Sequence, residues 1–218
     1  MTHTARHSFS HNDFYHRALL RAVPPGCDRA LDIGCGTGLF ARKLARQARF
    51  VEAVDTAPEL IAEARRQSSG LANLTYVQAD FSEYVPHPDG YQFVSCLASL
   101  HHMPFAQTTA KLRDVLAPGG VLMVLGCYRE ATLVDYLHAA VAVPANLAAR
   151  ALTRGTRVEV QAPVRAPEMT LAQVRAGASR LLPGADIRRR LFWRYTLLYR
   201  RPEPVGADAY PGRHGFRY

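Results

Sequence analysis

The sequence predicts an α/β fold. The expected core is a doubly wound, mostly parallel seven-stranded sheet with an antiparallel last strand and a helical insertion before strand six. Three observations carry this expectation. Short apolar runs alternate with helical-period segments from residue 29 to 126, the pattern of a parallel sheet covered on both faces. A glycine-rich turn, Gly34-x-Gly36-x-Gly38, sits between the first apolar run and the first helical segment after it. Two late apolar runs, 185–191 and 195–199, are joined by a connection too tight for a parallel crossover, so they read as an antiparallel hairpin.

Each element follows from local signals. Residues 10–23 form a helix with Phe14, Ala18, Leu19 and Ala22 on a rough 3.6 period, stopped by Pro24-Pro25-Gly26. Strand runs follow at 29–33, 50–54, 73–78, 91–97 and 120–126. Helices are expected at 37–47, 57–68 and 104–116. Pro58 lies in the first turn of the second of these, where a missing N–H costs nothing. Between Tyr128 and Pro183 no strand is evident. This stretch holds Ala-rich helical sequence broken at Pro144, a basic turn at Arg154-Gly155, and a helix over 170–182.

The chain has 218 residues, enough for one domain with one large core. The expected division is a single domain over 1–200, with an N-terminal helical cap at 1–26, a helical insertion at 127–184 that builds a substrate pocket, and a flexible tail at 201–218. No secretory leader or membrane span is read. The apolar stretch 131–152 is interrupted by Asp135, His138, Pro144 and Arg150. No two of the four cysteines, Cys27, Cys35, Cys96 and Cys127, are spaced as a metal-binding pair. A reduced cytoplasmic protein without a metal site is the expectation. Net charge is +9, carried almost wholly by arginine, since Lys43 and Lys111 are the only lysines. Arg188-Arg189-Arg190, Arg194 and Arg200-Arg201 read either as a patch for an anionic partner or as a solvated strand edge.

The turn at 34–38 carries the chemistry. Glycines there permit tight turns and close approach of a ligand to the main chain, and the helix start beyond presents N–H groups to an anionic group. A pyrophosphate-binding fingerprint would place a small third residue at position 39, which is Leu. The spacing therefore points to a nucleoside bearing a carboxylate and argues against a nicotinamide oxidoreductase. Asp55 ends the second strand, with Thr56 beside it. It reads as a ribose ligand or as a cap for the helix after it. Asp80 after the third strand reads as a partner for an adenine amino group or as a surface-turn acid, and Phe81 as a cover for the ring.

The run Leu31-Asp32-Ile33-Gly34-Cys35-Gly36-Thr37-Gly38 resembles the first motif of the class I S-adenosylmethionine-dependent methyltransferases. Asp55, Ala79-Asp80-Phe81, the stretch 95–102 and Leu116-Ala117-Pro118-Gly119-Gly120 resemble later motifs of that family, in family order. The resemblance implies the Rossmann-like methyltransferase fold and S-adenosyl-L-methionine as cofactor. It implies that Asp32 orients the loop and the methionine amino group, and that Gly34, Cys35, Gly36 and Gly38 line the cofactor. It adds Leu97, at the fourth-strand end, and Tyr15, in a helix resembling the family's cap, to the cofactor site. Phe14 and His16 share that helix, which reads equally as one packed on the sheet.

Methyl transfer asks the protein mainly to align the acceptor and exclude water. A base is needed only for a protonated acceptor. His101 and His102 follow the fourth strand and are the candidates, His102 slightly favoured; the alternative is that they shape the loop. Tyr15, His16 and Tyr128 are further candidates. Leu133, Tyr136, Leu137, Val141 and Val143 read as an apolar acceptor wall or as plain core. A small-molecule acceptor is expected, with O, N or C as nucleophile. An RNA methyltransferase and a non-catalytic cofactor-binding protein are the alternatives, and the absence of aromatic–basic interleaving argues against nucleic acid.

Overall fold

Strand β1 (Arg29–Ile33) has four buried residues in succession, as a strand covered on both faces requires. Alternate residues face opposite layers. Ala30 joins one apolar cluster, while Leu31 and Ile33 join the other. The computed structural model describes residues 11–132, Asp135 and 165–203. Within them β1 lies between β2 (Phe50–Asp55) and β4 (Tyr91–Leu97) in a seven-stranded sheet. Beyond these lie β3 (Leu74–Gln78), β5 (Leu116–Cys127), β7 (Arg194–Arg200) and β6 (Asp186–Arg190), in the order β3-β2-β1-β4-β5-β7-β6. β7 runs antiparallel to both of its neighbours. The order reverses between β1 and β4, which places a cleft at the carboxyl ends of the central strands.

Helices α1 (His11–Leu20), α2 (Leu39–Leu44) and α3 (Pro58–Gln67) contribute Leu19, Phe40, Leu44 and Ile61 to one layer. On the other face α4 (Phe105–Asp114) and α5 (Leu171–Leu181) contribute Leu112, Leu171, Val174 and Ala178. Thr170 starts α5 with a reciprocal cap. Its hydroxyl accepts from the Gln173 N–H, and the Gln173 side chain accepts from the Thr170 N–H.

Three expectations change in detail. The helix after the glycine turn begins at Leu39 rather than 37, because Gly38 takes a left-handed conformation with φ 74°. The fifth strand begins at Leu116, four residues before 120, with an irregular register opposite residues 91–93. The expected tail boundary moves as well. Arg201 exchanges backbone hydrogen bonds with Gly119 and Gly120, and its guanidinium reaches the carbonyls of Asp114 and Leu116. Of the expected insertion at 127–184, residues 136–164 lie outside the described residues. So do Leu133, Tyr136, Leu137, Val141 and Val143, the basic turn at 154–155, and the tail from residue 204.

The β6–β7 turn has no glycine, yet Phe192 and Trp193 both adopt positive φ, 59° and 57°. Bulky residues tolerate this only where contacts over-determine it. Those contacts are present. Phe192 packs edge-on against Phe14, the Trp193 indole N–H donates to Glu130 at 2.6 Å, and the Leu191 carbonyl accepts from the Tyr15 hydroxyl at 3.0 Å.

Candidate active site

The carboxyl end of β1 opens directly into the glycine turn. The Gly34 and Cys35 N–H groups both donate to the Val54 carbonyl, at 2.8 and 3.1 Å, so the turn stays strapped to β2. The three glycines serve different ends. A Cβ on Gly34 would stand 2.1 Å from Ser99 Oγ, and one on Gly38 would stand 2.1 Å from Tyr76 Oη. Both glycines admit a neighbouring side chain. Gly36, with φ 53°, has nothing within 4 Å of such a Cβ. Its open face is where a ligand can lie against the main chain.

Asp32 is 2% exposed. Strand register sets Ser95 opposite it, and the Ser95 hydroxyl donates to Asp32 Oδ1 at 2.7 Å. Oδ2 is buried with no partner among the described residues. A buried carboxylate oxygen without a donor is costly. Burial accordingly pushes the Asp32 carboxyl up to about 7; the Ser95 hydrogen bond opposes the rise and the nearby Asp55 charge adds to it.

Asp55 ties the glycine turn to Ala57, the residue that itself caps α3, so Asp55 does not occupy the expected cap position. Oδ2 accepts from the Gly36 N–H at 2.8 Å and Oδ1 from the Ala57 N–H at 3.0 Å. Each oxygen keeps a second lone pair for a hydroxyl. Asp55 is half-buried and Thr56 beside it is exposed. Asp80 Oδ1 accepts from the Ser82 N–H and hydroxyl, both at 2.7 Å, which holds its carboxyl below the usual range.

Phe81 corrects an expectation. Its ring is 3% exposed, faces Tyr84 in the core and lies under the Lys111 ammonium. It therefore cannot cover an adenine, and its backbone is what remains to offer. Cys35 behaves similarly. Its thiol is buried and raised by burial, leaving the main chain to face a ligand. Leu97 is half-buried at the end of β4. Tyr15 is buried against the same apolar layer, with its hydroxyl committed to Leu191.

His16 corrects a second expectation. It is 4% exposed, its Nδ1 lies 2.9 Å from Lys43 Nζ, and its ring packs on Phe40. Burial, aided by the Lys43 charge, lowers it to about 3, so it is a neutral anchor between α1 and α2. Tyr128 is likewise spoken for: it is 3% exposed, with Arg189 over its ring.

The two histidines after β4 separate. Both lie on a short turn of 3-10 helix, Leu100–His102, with ring centroids 4.1 Å apart. His102 is exposed, whereas His101 is half-buried and its Nδ1 is buried without a partner. Burial, with repulsion from His102 and Arg194, lowers His101 to about 4; hydrogen bonding to the Arg165 backbone opposes this. Burial and an unpartnered ring nitrogen thus distinguish His101, not the expected His102, at this turn.

Both histidines line a cavity of about 450 Å³ at the same edge of the sheet. Met103 walls it from the β4–α4 connection, Phe105 from the start of α4, Cys127 from the end of β5, Met169 from the segment before α5, and Tyr195 from β7. The Arg129 N–H donates to the Met169 carbonyl at 2.8 Å, which fixes that segment beside the exit of β5. Met103, Phe105, Met169 and Tyr195 are absent from the sequence-based site. The one sequence signal for Tyr195 is Gly126, a glycine inside a buried strand that marks close approach of another group.

These residues fit a nucleoside carrying an amino acid. Asp32 Oδ2 awaits a charged donor, the Asp55 oxygens have lone pairs for a ribose, and Gly36 leaves room against the backbone. Among the described residues no cluster of His, Cys, Asp or Glu is arranged to hold a metal, and no helix is long and apolar enough to cross a membrane.

Comparison with known proteins agrees with this geometry. The sequence model of the methyltransferase domain family matches residues 30–120. An uncharacterized methyltransferase of Mycobacterium bovis is 35% identical over 196 residues, covering 87% of this chain and 96% of that protein. A ubiquinone biosynthesis O-methyltransferase of Xylella fastidiosa is 36% identical over 139 residues, covering 62% of this chain and 55% of that enzyme. The fold matches the N-methyltransferase NodS of Bradyrhizobium japonicum in complex with S-adenosyl-L-homocysteine, with a TM-score of 0.60 at 15% identity over 88% of this chain and 87% of that one. It also matches magnesium protoporphyrin IX methyltransferase of Synechocystis with bound S-adenosylmethionine, with a TM-score of 0.56 at 20% identity over 87% and 77%. With sequence, fold and loop geometry in agreement, this chain belongs to the class I S-adenosylmethionine-dependent methyltransferases.

Proposed function

We propose that the chain methylates a small-molecule acceptor held in the cavity beside His101. The observation that carries this reading is that cavity: it opens at the edge of the sheet where the glycine turn lies, and is lined by His101 with an unpartnered Nδ1. The bound cofactor supplies an activated methyl group on a sulfonium. In this reading Asp32 holds the amino group, Asp55 the ribose hydroxyls, and Asp80 with the Phe81 backbone the adenine. Tyr15 and Leu97 close the site on the α1 side, and Gly34, Cys35, Gly36 and Gly38 shape its floor.

The acceptor's alignment then does most of the work, because fixing two reacting groups removes about 7–11 kcal/mol of barrier. His101 is a neutral hydrogen-bond acceptor at physiological pH. Its low basicity does not disqualify it. A hydroxyl or amine becomes strongly acidic as its new bond to carbon forms, so a weak base suffices to take the proton late in the transfer.

The arginines argue against a nucleic-acid acceptor, because those of the expected basic patch already have protein partners. Arg188 pairs with Asp186 at 2.7 Å and Arg189 with the buried Asp135 at 2.8 Å. Arg190 donates to Thr196, Arg194 to Asn12, and Arg200 to the Gly119 carbonyl.

The test is His101→Ala with a pH profile. Turnover of an accepted substrate is expected to fall about 100-fold, the low end for a lost acid–base group, with S-adenosylhomocysteine affinity unchanged. Since His101 is lowered to about 4, it stays deprotonated as pH falls from 8 to 5.5. With the cofactor saturating at every pH, so that Asp32 does not enter, the wild-type rate should therefore show no limb near 6.5 and decline only as pH approaches 4. An alanine variant with wild-type turnover removes His101 from the reaction.

A further inference from the structure

Two glycines outside the cofactor turn bear on the same cavity. Gly126 sits directly across from Tyr195 in the β5–β7 ladder. A Cβ there would stand 2.1 Å from Tyr195 Cζ and 2.3 Å from its hydroxyl oxygen, so the ring lies flat across the glycine. Gly177 on α5 does the same for Phe105, whose Cε1 lies 2.7 Å from where its Cβ would be. Each notch seats an aromatic ring that lines the cavity, and two thioethers, Met103 and Met169, line it as well. Flat rings and polarizable sulfurs favour the faces and edges of another aromatic ring over a saturated chain.

The polar groups of the lining narrow the choice further. Tyr195 is 2% exposed, and burial holds its phenol protonated. Its hydroxyl makes no hydrogen bond among the described residues. His101 Nδ1 is a buried lone pair without a partner. The Arg165 guanidinium pairs with Glu168 at 2.5 Å, on the exposed side of the lining. Besides the exposed His102, the exposed Arg165–Glu168 pair and the Cys127 thiol, the lining thus offers one neutral buried donor–acceptor and one neutral buried acceptor, a set that suits a hydroxyl.

We propose that the acceptor is a planar hydroxyaromatic molecule, seated against Tyr195 and Phe105 with its ring hydroxyl read by Tyr195 Oη and His101. This rests on the methyl-transfer reading above and names its substrate class. In the reaction the phenolic oxygen forms a new C–O bond to the methyl carbon. The S–C bond breaks with both electrons left on sulfur, and the hydroxyl proton passes to His101 and then to solvent. A volume of about 450 Å³ lies within the range of pockets that hold one small molecule.

The experiment titrates the full chain, saturated with S-adenosylhomocysteine, with 2-naphthol, naphthalene and n-decanol by calorimetry. 2-Naphthol is expected to bind more tightly than either of the others. Tyr195→Phe keeps the ring and removes the hydroxyl, so 2-naphthol affinity should fall about 3- to 10-fold, the worth of one neutral hydrogen bond, with naphthalene unchanged. Gly177→Ala, a substitution a helix welcomes, drives Phe105 out of its notch and should weaken both aromatic probes alike. Turnover closes the test: with S-adenosylmethionine, 2-naphthol should yield its methyl ether. Equal affinity for n-decanol and 2-naphthol, or an unchanged Tyr195→Phe variant, overturns the proposal while leaving the methyl-transfer reading intact. Failure of S-adenosylhomocysteine to bind at all overturns both.

Discussion

Gly36→Ala is expected to cost most of the cofactor affinity and little of the fold, whereas Gly38→Ala two positions on should do the reverse. At Gly36 a methyl group meets no protein atom, so the variant bears only the left-handed penalty of an L-residue, about 1–2 kcal/mol. For a chain of this size that is a fall in Tm of roughly 2–8 °C. In the proposed reading the same methyl occupies the space against which the cofactor lies. Overpacking a formed contact costs about 1–3 kcal/mol, or roughly 5- to 150-fold in S-adenosylhomocysteine affinity. At Gly38 the backbone penalty is joined by a collision with the Tyr76 hydroxyl, itself 2.8 Å from Ser68 Oγ. The combined cost is about 2–5 kcal/mol of stability. Thermal melting beside calorimetric titration of both variants separates a glycine that serves the ligand from one that serves packing. Two variants with the same ratio of stability loss to affinity loss would remove the distinction.

Asp32→Asn is the second large effect. The carboxyl is raised to about 7 by burial, so in the free protein it holds its proton below neutral pH. A bound amino group requires the carboxylate. Affinity for S-adenosylhomocysteine should therefore rise between pH 6 and 7.5, with proton uptake by buffer near pH 6. The amide lacks the charge and should bind about 10- to 100-fold more weakly at pH 8, the worth of a charge-assisted hydrogen bond, without the pH dependence. Stability moves the other way. A folded-state value above the unfolded value means that the folded chain holds the extra proton, so Asp32 contributes less stability as pH rises from about 4 to 7. The neutral amide should leave the protein at least as stable at pH 8. A destabilised variant with wild-type affinity would show that Asp32 supports the fold rather than the ligand.

What was legible in the sequence was what is local. Asp32, the glycine turn and Asp55 lie at strand ends, where one short run states the strand, the turn and the helix start together. The hairpin was legible because a connection of a few residues admits one topology. Phe81 was misread because its direction depends on how the chain turns after β3, which no periodicity records. His101 and His102 stand out as a pair, but His101 hydrogen-bonds the Arg165 backbone, a contact made far along the chain. Tyr195 and Phe105 were missed for the same reason. Their place is fixed by Gly126 and Gly177, partners joined only by strand register and helix packing. The positive φ of Phe192 and Trp193 runs against every turn preference and rests on contacts with α1 and Glu130.

The central claim is that the glycine turn and the His101 cavity are the cofactor half and the acceptor half of one site. A crystal structure with S-adenosylhomocysteine tests it most directly. The expected result is the amino group on Asp32 Oδ2, the ribose on Asp55, the main chain of Gly36 against the ligand, and the thioether sulfur turned toward the cavity walled by His101 and Tyr195. A sulfur facing away from that cavity, or a ligand that leaves Asp32 Oδ2 without a partner, would contradict it.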